Sequence, residues 1–394
     1  MDNSFSEKTA ETGSFIKCKD CGANLKYQPG TKHLNCEYCG AKNEIEDEPV
    51  AEIIENDFES FLDEKAHLND KQEVSTVKCD NCGASTTLKP NVTSSTCPYC
   101  DTPLVIKNAT TSTIIKPAYL LPFAIDRKKA TDEFVKWAGS LWFAPNKLKQ
   151  YAQSSAEKLN GLYMPYWTYD SNTTTQYTGM QGIHYYETET YTDSEGKTQT
   201  REVQRTRWYP VSGTVYNTFD DILVVSSKSL PESLANELEP WDLPALTAYN
   251  DKYLSGFVTE SYQVGLKEGF EKAKARMESP IRSTVCSNIG GDVQQILSMN
   301  IEYHDITFKH ILLPVWLSAY RYNEKVYRFM INARTGEVQG ERPYSAIKIT
   351  LFILMILAVV GVILFFVMQH KKASHTEMSQ LMLQVQEWVL PHQV

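Results

Sequence analysis

The chain has 394 residues and a formal charge of −9. That length allows a folded domain with smaller modules attached. The acidic balance argues against a protein built to neutralise nucleic-acid phosphates, which needs a basic face. The opening segment, MDNSFSEKTAETG, is polar and lacks the apolar run of a secretory signal, so the N-terminal part is expected in a reducing, cytosolic compartment.

Eight of the nine cysteines follow in two copies of one pattern. Cys18, Cys21, Cys36 and Cys39 read C-x2-C-x14-C-x2-C, and Cys79, Cys82, Cys97 and Cys100 repeat it. The surrounding text aligns without a gap at an offset of 61 residues, from KCKDCGANLKYQPGTKHLNCEYCGAKNEI to KCDNCGASTTLKPNVTSSTCPYCDTPLVI. Each tight C-x2-C turn supplies two thiolates, and a hairpin-length spacer brings two turns onto one tetrahedral zinc, about 2.3 Å from each sulfur. Gly22, Gly40 and Gly83 follow the second cysteine of their pairs, where a positive φ lets backbone N–H groups reach sulfur; Asp101 stands at the fourth such place. Two disulfide knots or two redox pairs are the other readings. Matched sets of four in a chain without a secretory signal favour zinc. Four thiolates close the shell and leave no position for a catalytic water, so two structural zinc ribbons are expected, at 14–45 and 75–107. Their lysines are only mildly in excess, and each Zn(Cys)4 centre adds −2. Cys286, left over, reads as a small buried hydrophobe.

The linker at 46–74, read with the two residues before it, opens with EIEDEPVAEIIENDFESFLDEK, strongly acidic, with Val50, Ile53, Ile54, Phe58, Phe61 and Leu62 near helical spacing. It reads either as a solvated tether with a short helix resting on its neighbours or as a partner-docking helix built on Phe58, Phe61 and Leu62.

From 108 to 345 the pattern is that of a mixed α+β domain. Ala130, Phe134, Trp137 and Leu141 share a helical face in DRKKATDEFVKWAGSL, and PNKLKQYAQSSAEKL reads as a second helix. LYMPYWTYD opens a long β region whose strands HYYETETYT and QTREVQRTRW flank the turn Asp193-Ser194-Glu195-Gly196. Leu266, Phe270, Ala273 and Met277 mark a later helix, and Gln294 to Gly340 reads as strands with turns at Asn323-Glu324 and Thr335-Gly336. YMPYW and LLPVW each place a tryptophan two residues after a proline, which hints at two similar strand-entry units, but the match is too short to count as a repeat.

No catalytic constellation emerges. Gly196-Lys197-Thr198 resembles the end of a P-loop, but Tyr191 stands where the motif needs glycine and the context is strand–turn–strand. His184, His304 and His310 are scattered without a nucleophile or metal-ligand spacing. Arg201, Arg205 and Arg207 share a strand face opposite Glu187 and Glu189, which reads as cross-strand charge pairing; an anionic headgroup or partner patch is the alternative. We therefore expect no enzyme.

Ile349 to Met368 reads ITLFILMILAVVGVILFFVM, twenty uncharged residues that span about 30 Å as a helix, the thickness of a hydrocarbon core. A single transmembrane helix is expected at 349–368. Arg342 and Lys348 on one side tie with Lys371 and Lys372 on the other, so flanking charge does not orient it; the reduced cysteines place residues 1–345 in the cytosol and the tail, 369–394, across the membrane. That tail contains EMSQLMLQVQEWVL, which has helical character and could instead lie along a membrane surface.

Paired ribbons, acidic linker, α+β domain and late apolar helix together resemble the bacterial membrane proteins with TFIIB-type zinc ribbons of the YdjG type. The resemblance rests on CKDCGANLKYQPGTKHLNCEYCGA, on TETYTDSEGKTQTREVQRTRW followed by FDDILVVSS, and on the helix at 349–368. It implies a membrane-anchored adaptor in the cell membrane that works with SPFH-domain or virion-core-like proteins and PspA-type phage-shock proteins in envelope stress. Relatives often carry helicase or replication labels, which no ATP site in this sequence supports. The competing reading is a membrane-associated nucleic-acid-binding protein that uses the ribbons.

Overall fold

The computed structural model describes residues 16–46, 53–62, 71–81, 83–87, 94–100, 102–105, 110–146, 159–194, 196–322 and 325–389. The first ribbon is an antiparallel sheet of β1 (Lys26–Tyr27), β2 (His33–Asn35) and β3 (Lys42–Glu44). Next come β4 (Asn56–Asp57) and one helical turn, α1 (Phe58–Phe61). The second ribbon begins with β5 (Lys71–Lys78), β6 (Ser85–Thr87), β7 (Ser94–Thr96) and β8 (Pro103–Val105), and β9 (Thr110–Ile115) pairs with β5 along the whole length of that strand's start. This module therefore reaches further at both ends than the 75–107 read from the cysteines. Its extra strands carry no cysteine to mark them.

The body contains β10 (Tyr119–Leu120), α2 (Arg127–Ser140), β11 (Asn160–Thr192), β12 (Thr198–Val225), α3 (Glu232–Asn236), β13 (Thr247–Ala248) and β14 (Val258–Thr259). It continues with α4 (Leu266–Ile289), β15 (Val293–Tyr322), β16 (Lys325–Asn332) and β17 (Val338–Gly340), and α5 (Ala346–Val389) follows. A nine-stranded sheet runs in the order β12-β11-β15-β10-β13, with β14 on β11, β4 and β16 on β15, and β17 on β16. The long strands are rich in Thr, Tyr, Val and Ile, whose branched or aromatic side chains suit a pleated surface. Gly161 to Tyr169 is buried residue after residue, because both sheet faces are covered there. On one face Tyr163 joins Phe134, Phe257 and the first ribbon's Leu25, Tyr27 and Leu34 in a core; on the other, Leu162, Met164 and Tyr166 meet Leu238, Trp241 and the second ribbon's Val77 and Tyr99. Further along, burial alternates with period two, and beyond Gly182 it stops.

The two proline–tryptophan segments lie opposite each other where β11 crosses β15. Tyr163 pairs with Pro314, Met164 with Leu313 and Pro165 with Leu312, which makes the junction locally two-fold. The neighbourhoods of the two segments match. Val258–Thr259 runs parallel to Leu162–Tyr163, and Tyr119–Leu120 runs parallel to Ile311–Leu312. The indole N–H of Trp167 donates to the Val264 carbonyl at 2.9 Å, and that of Trp316 to the Ile125 carbonyl at 2.8 Å. Ser226 N–H donates to Pro165 O at 3.1 Å and Ala333 N–H to Pro314 O at 3.0 Å; Glu260 N–H reaches Tyr163 O and Leu121 N–H reaches Leu312 O, both at 3.1 Å. Each proline stands where the neighbouring strand changes, from β14 to β12 or from β10 to β16, so the missing N–H leaves no ladder bond unmade.

The body is thus two β–α–β–β units, β10-α2-β11-β12 and β14-α4-β15-β16, that exchange their first strands. The helices bury equivalent rows: Ala130, Phe134 and Ala138 in α2, and Gly269, Ala273 and Met277 in α4. The hint in YMPYW and LLPVW was the visible part of this duplication. Its halves differ in one respect. The β15–β16 hairpin is short, whereas β11 and β12 continue past Gly182, the last partner of β15, as a two-stranded arm with its turn at Asp193–Gly196. Ten residues of each strand make that arm about 34 Å long.

Three expectations change. The linker is not a free tether: Asn56 and Asp57 pair with Phe308 and Thr307, and Glu55 takes a charge-assisted bond from buried Lys309 at 2.5 Å. Phe58 and Phe61, two of the three residues of the docking reading, are buried, as the reading of a short helix resting on its neighbours requires; Phe61 meets Phe308 edge to face at 5.0 Å and Phe58 lies 4.9 Å from Phe270. Two aromatic rings per helical turn satisfy a core as readily as a partner, and the sheet was nearer. Finally, α5 starts at Ala346 and runs unbroken to Val389, so the tail continues the apolar helix. Among the described residues this is one helix long and apolar enough to cross a membrane, over Ala346–Met368. Its base is tied to the body by Lys348 Nζ on Ala144 O at 2.8 Å and by the Phe143–Phe352 ring contact. Most of the expected helix at 145–159 and the Asn323-Glu324 turn lie outside the described residues.

Candidate metal centres and the seat of the second ribbon

Each C-x2-C turn folds the same way. The N–H of the first cysteine donates to the carbonyl five residues on, and the glycine after the second cysteine returns its N–H: Cys18 to Ala23 and Gly22 to Cys18, Cys36 to Ala41 and Gly40 to Cys36, Cys79 to Ala84 and Gly83 to Cys79, all at 2.8–2.9 Å. Gly22, Gly40 and Gly83 have φ of +73°, +77° and +75°, the conformation that the sequence assigned to them. Cys97 makes the same bond to Thr102, while Asp101 is outside the described residues.

These turns bring Cys18, Cys21, Cys36 and Cys39 together, with one ligand atom from each within 4.8 Å of all the others. Cys18 and Cys39 sulfurs stand 3.7 Å apart, and Cys21 and Cys36 sulfurs 3.5 Å. Tetrahedral zinc with bonds of about 2.3 Å needs sulfurs about 3.8 Å apart, so this donor set fits the ion. In the second ribbon Cys79, Cys97 and Cys100 gather likewise, Cys79 and Cys100 sulfurs at 3.7 Å; Cys82 lies outside the described residues. Electrostatics also ask for a cation. The Cys39 and Tyr38 N–H groups lower the Cys36 thiol to about 7. Cys39 accepts the Ala41 N–H, but the Cys21 and Cys36 sulfurs push it up to about 12. Four thiolates in one shell repel one another until a metal ion offsets their charge.

The two ribbons sit differently on the body. In the first, Cys18 and Cys36 are buried and Cys21 and Cys39 exposed. It is seated by its other end: Tyr27 packs edge to face on Tyr253 at 5.0 Å, Tyr27 N–H donates to Ser255 O, and Gly30 N–H donates to Phe123 O. In the second, the Cys97–Cys100 turn itself is driven into the body. Cys97, Pro98 and Tyr99 are buried, and Tyr99 donates its hydroxyl to the Glu260 carboxylate. Glu260 is 2% exposed, and its other oxygen accepts from Ser227 at 2.9 Å, Gln263 at 2.9 Å and the Ser229 hydroxyl. Burial raises this carboxyl to about 7 despite those donors. Thr87 and Ser261 hydroxyls join 2.6 Å apart beside it.

Sequence reasoning missed Glu260. A lone glutamate in VTESYQV carries no spacing signal; only the duplication marks it, because its counterpart in the first unit is apolar Leu121. The Lys309 cluster was missed as well. This lysine, 3% exposed, lies 2.7 Å from Asp221 and 4.0 Å from Asp170 as well as on Glu55. Burial and the neighbouring Glu55 raise Asp170 to about 7, so a proton offsets part of the crowded negative charge. Glu55, Asp170 and Asp220 are close enough to hold a cation, but the Lys309 ammonium already supplies the positive charge there.

Two of the three arginines expected in cross-strand charge pairs make them, and the third stacks on a ring. Arg201 meets Glu189 at 3.1 Å and Arg205 meets Glu187 at 2.7 Å, while Arg207 lies over the Tyr185 ring at 4.9 Å. Gly196-Lys197-Thr198 is a hairpin turn and strand start. His310 is buried beneath Trp167, its Nδ1 2.8 Å from Ile115 O; burial lowers it to about 4, which fits a neutral core histidine. Cys286 is half-buried on α4.

Fold and site together define a protein with two cysteine ribbons seated on a duplicated sheet, followed by one helix that could span a membrane. It is a distant relative of the uncharacterized protein YdjG of Bacillus subtilis strain 168, 26% identical over 335 residues, which are 84% of this chain and 91% of the relative. No family model and no solved structure matches it.

Proposed function

We propose that this chain is a membrane-anchored adaptor: two structural zinc ions hold the ribbons, the 349–368 segment crosses the cell membrane once with the N-terminus in the cytosol, and the body recruits protein partners to the cytosolic membrane face. The supporting observation is the joining of a large rigid body to an exposed apolar helix through short contacts at Phe143, Ala144 and Lys348. Anchoring raises the body's effective concentration at the bilayer. The first ribbon's four cysteines are all used on one another, and the repeat assigns Cys82 to the same role in the second, so neither metal offers an open position for chemistry. The acidic total of −9 disfavours a nucleic-acid ligand. SPFH-domain and PspA-type proteins, in an envelope-stress setting, are the partners that the family resemblance suggests.

Affinity purification of the full chain from detergent-solubilised membranes tests this reading. Specific co-purification of one or a few proteins, with two zinc ions per chain, is expected. Purification of the chain alone would remove the adaptor reading, and a metal content near zero under reducing conditions would remove zinc. A cytosol-dependent reporter should be active when fused before Met1 and silent after Val394; the reverse pattern would overturn the orientation.

A further inference from the structure

The two ribbons place the same tyrosine in opposite settings. Tyr38 and Tyr99 occupy equivalent places, C-E-Y-C and C-P-Y-C, at the 61-residue offset of the repeat. Tyr99 is 0% exposed, and Tyr38 is 86% exposed. We propose that the Cys36–Cys39 knuckle is a docking element, and that its occupant is a protein partner whose surface offers what Tyr99 finds inside this chain: an apolar socket with a carboxylate at its floor. The proposal rests on the adaptor reading and names the surface through which it operates.

The chain itself supplies the recognition mode. The Cys97–Cys100 turn presents a tyrosine whose ring is buried with Leu230, Leu238 and Leu246, while its hydroxyl donates to Glu260. An aromatic ring with one polar tip is suited to such a pocket, where ring burial gives affinity and the hydroxyl–carboxylate bond gives specificity. The first knuckle has the same backbone frame, fixed by the Cys36–Ala41 and Gly40–Cys36 bonds, so Tyr38 is presented from a rigid base and little freedom is lost on binding. That base is anchored to the body on its far side through Tyr27 and Leu34, which leaves the knuckle facing outward.

The one replacement within the knuckle agrees with an intermolecular role. Pro98 is buried beside Tyr99, whereas its counterpart Glu37 is exposed and paired with Lys26 at 2.7 Å. A charged residue there keeps the free knuckle soluble and belongs at the rim of a contact.

The test uses the full chain in its own membrane, with the photo-reactive residue p-benzoylphenylalanine placed at Glu37, so that Tyr38 keeps its ring and hydroxyl, and, as a control, at Tyr216, which is 73% exposed on the sheet. Expected is an adduct at position 37, absent at 216, mapped by mass spectrometry to a protein segment with an Asp or Glu among apolar residues. Tyr38→Phe should reduce co-purification of that protein by about tenfold, since a hydrogen bond to a charged group is lost, with zinc content unchanged. Adducts at 37 no more abundant than at 216, or falling on nucleic acid, lipid or the chain itself, overturn the proposal, as does full retention of the partner by Tyr38→Phe. Retention leaves the adaptor reading standing, whereas a wild-type chain that brings down no protein removes both.

Discussion

The first and second ribbons carry one sequence pattern and make two different structures of its surroundings. In the first, the knuckle with Cys36 and Cys39 faces solvent and the hairpin end is buried; in the second, the equivalent knuckle is part of the body's core. A cysteine ribbon is therefore only a frame. What it does depends on which of its loops meets a complementary surface, and here that surface is the buried Glu260 with its serines.

The largest break in the comparison should come from removing a ligand. Cys36→Ser is expected to unfold the first ribbon and to uncover its seat at Tyr253–Phe257, because a module this small needs its four ligands to fold. Cys97→Ser should instead loosen the opposite face of the sheet, since it withdraws Tyr99 from its core. Hydrogen exchange on the full chain reads both: new exchange at residues 16–46 and around Tyr253–Phe257 for the first variant, and at Leu230–Leu246 and Gln263 for the second. Equal footprints would mean that the two ribbons are seated alike.

Next come the tyrosines. Tyr99→Ala empties a fully enclosed ring site and takes a donor from a buried carboxylate, and should cost about 3–5 kcal/mol. Tyr38→Ala should fall within about 0.5 kcal/mol of wild type. Denaturant titration in detergent measures both, and a stability loss for Tyr38→Ala comparable to that for Tyr99→Ala would end the comparison.

The smallest effect is a pH dependence. Glu260 is raised from an ordinary carboxyl value to about 7 in the folded chain. Between pH 4.5 and 7 the folded state therefore holds the proton more tightly than the unfolded state, so stability present at the acid end is lost as pH rises to 7, by at most about 3 kcal/mol. Glu260→Gln keeps one of the two acceptor oxygens, enough for Ser227 or for Tyr99 but not for both, and has no proton to lose. It should flatten that decline and be relatively more stable above pH 7. An unchanged slope would show that the Tyr99–Glu260 seat does not titrate in this range.

Much of the local structure was legible from the residues. The positive-φ glycines, the cysteine quartet, the Asp193–Gly196 turn and the period of α2 all follow from local chemistry, and the structure reproduces them. Phe58 and Phe61 were not, because a short amphipathic turn does not say whether the surface that covers it lies in the same chain. Glu260 and Lys309 were not either: a single charged residue in a strand-rich stretch looks solvated until the fold closes over it. The duplication was nearly invisible because much of its signature is carried by indole bonds to the backbone carbonyls of Ile125 and Val264, which a residue of any type can provide.

The sequence by itself determined the cysteine turns and the apolar span, since both are written in residue type and spacing over short distances. It also aligned the turns of the two ribbons at one offset of 61 residues. Only the tertiary structure decided that β10 and β14 exchange places between two equivalent units, that the acidic linker completes the sheet, and that Tyr99 is buried while Tyr38 is not. Each of these depends on long-range pairing between segments more than ninety residues apart, where the free energy is set by mutual burial and hydrogen bonding of surfaces that neither segment encodes alone.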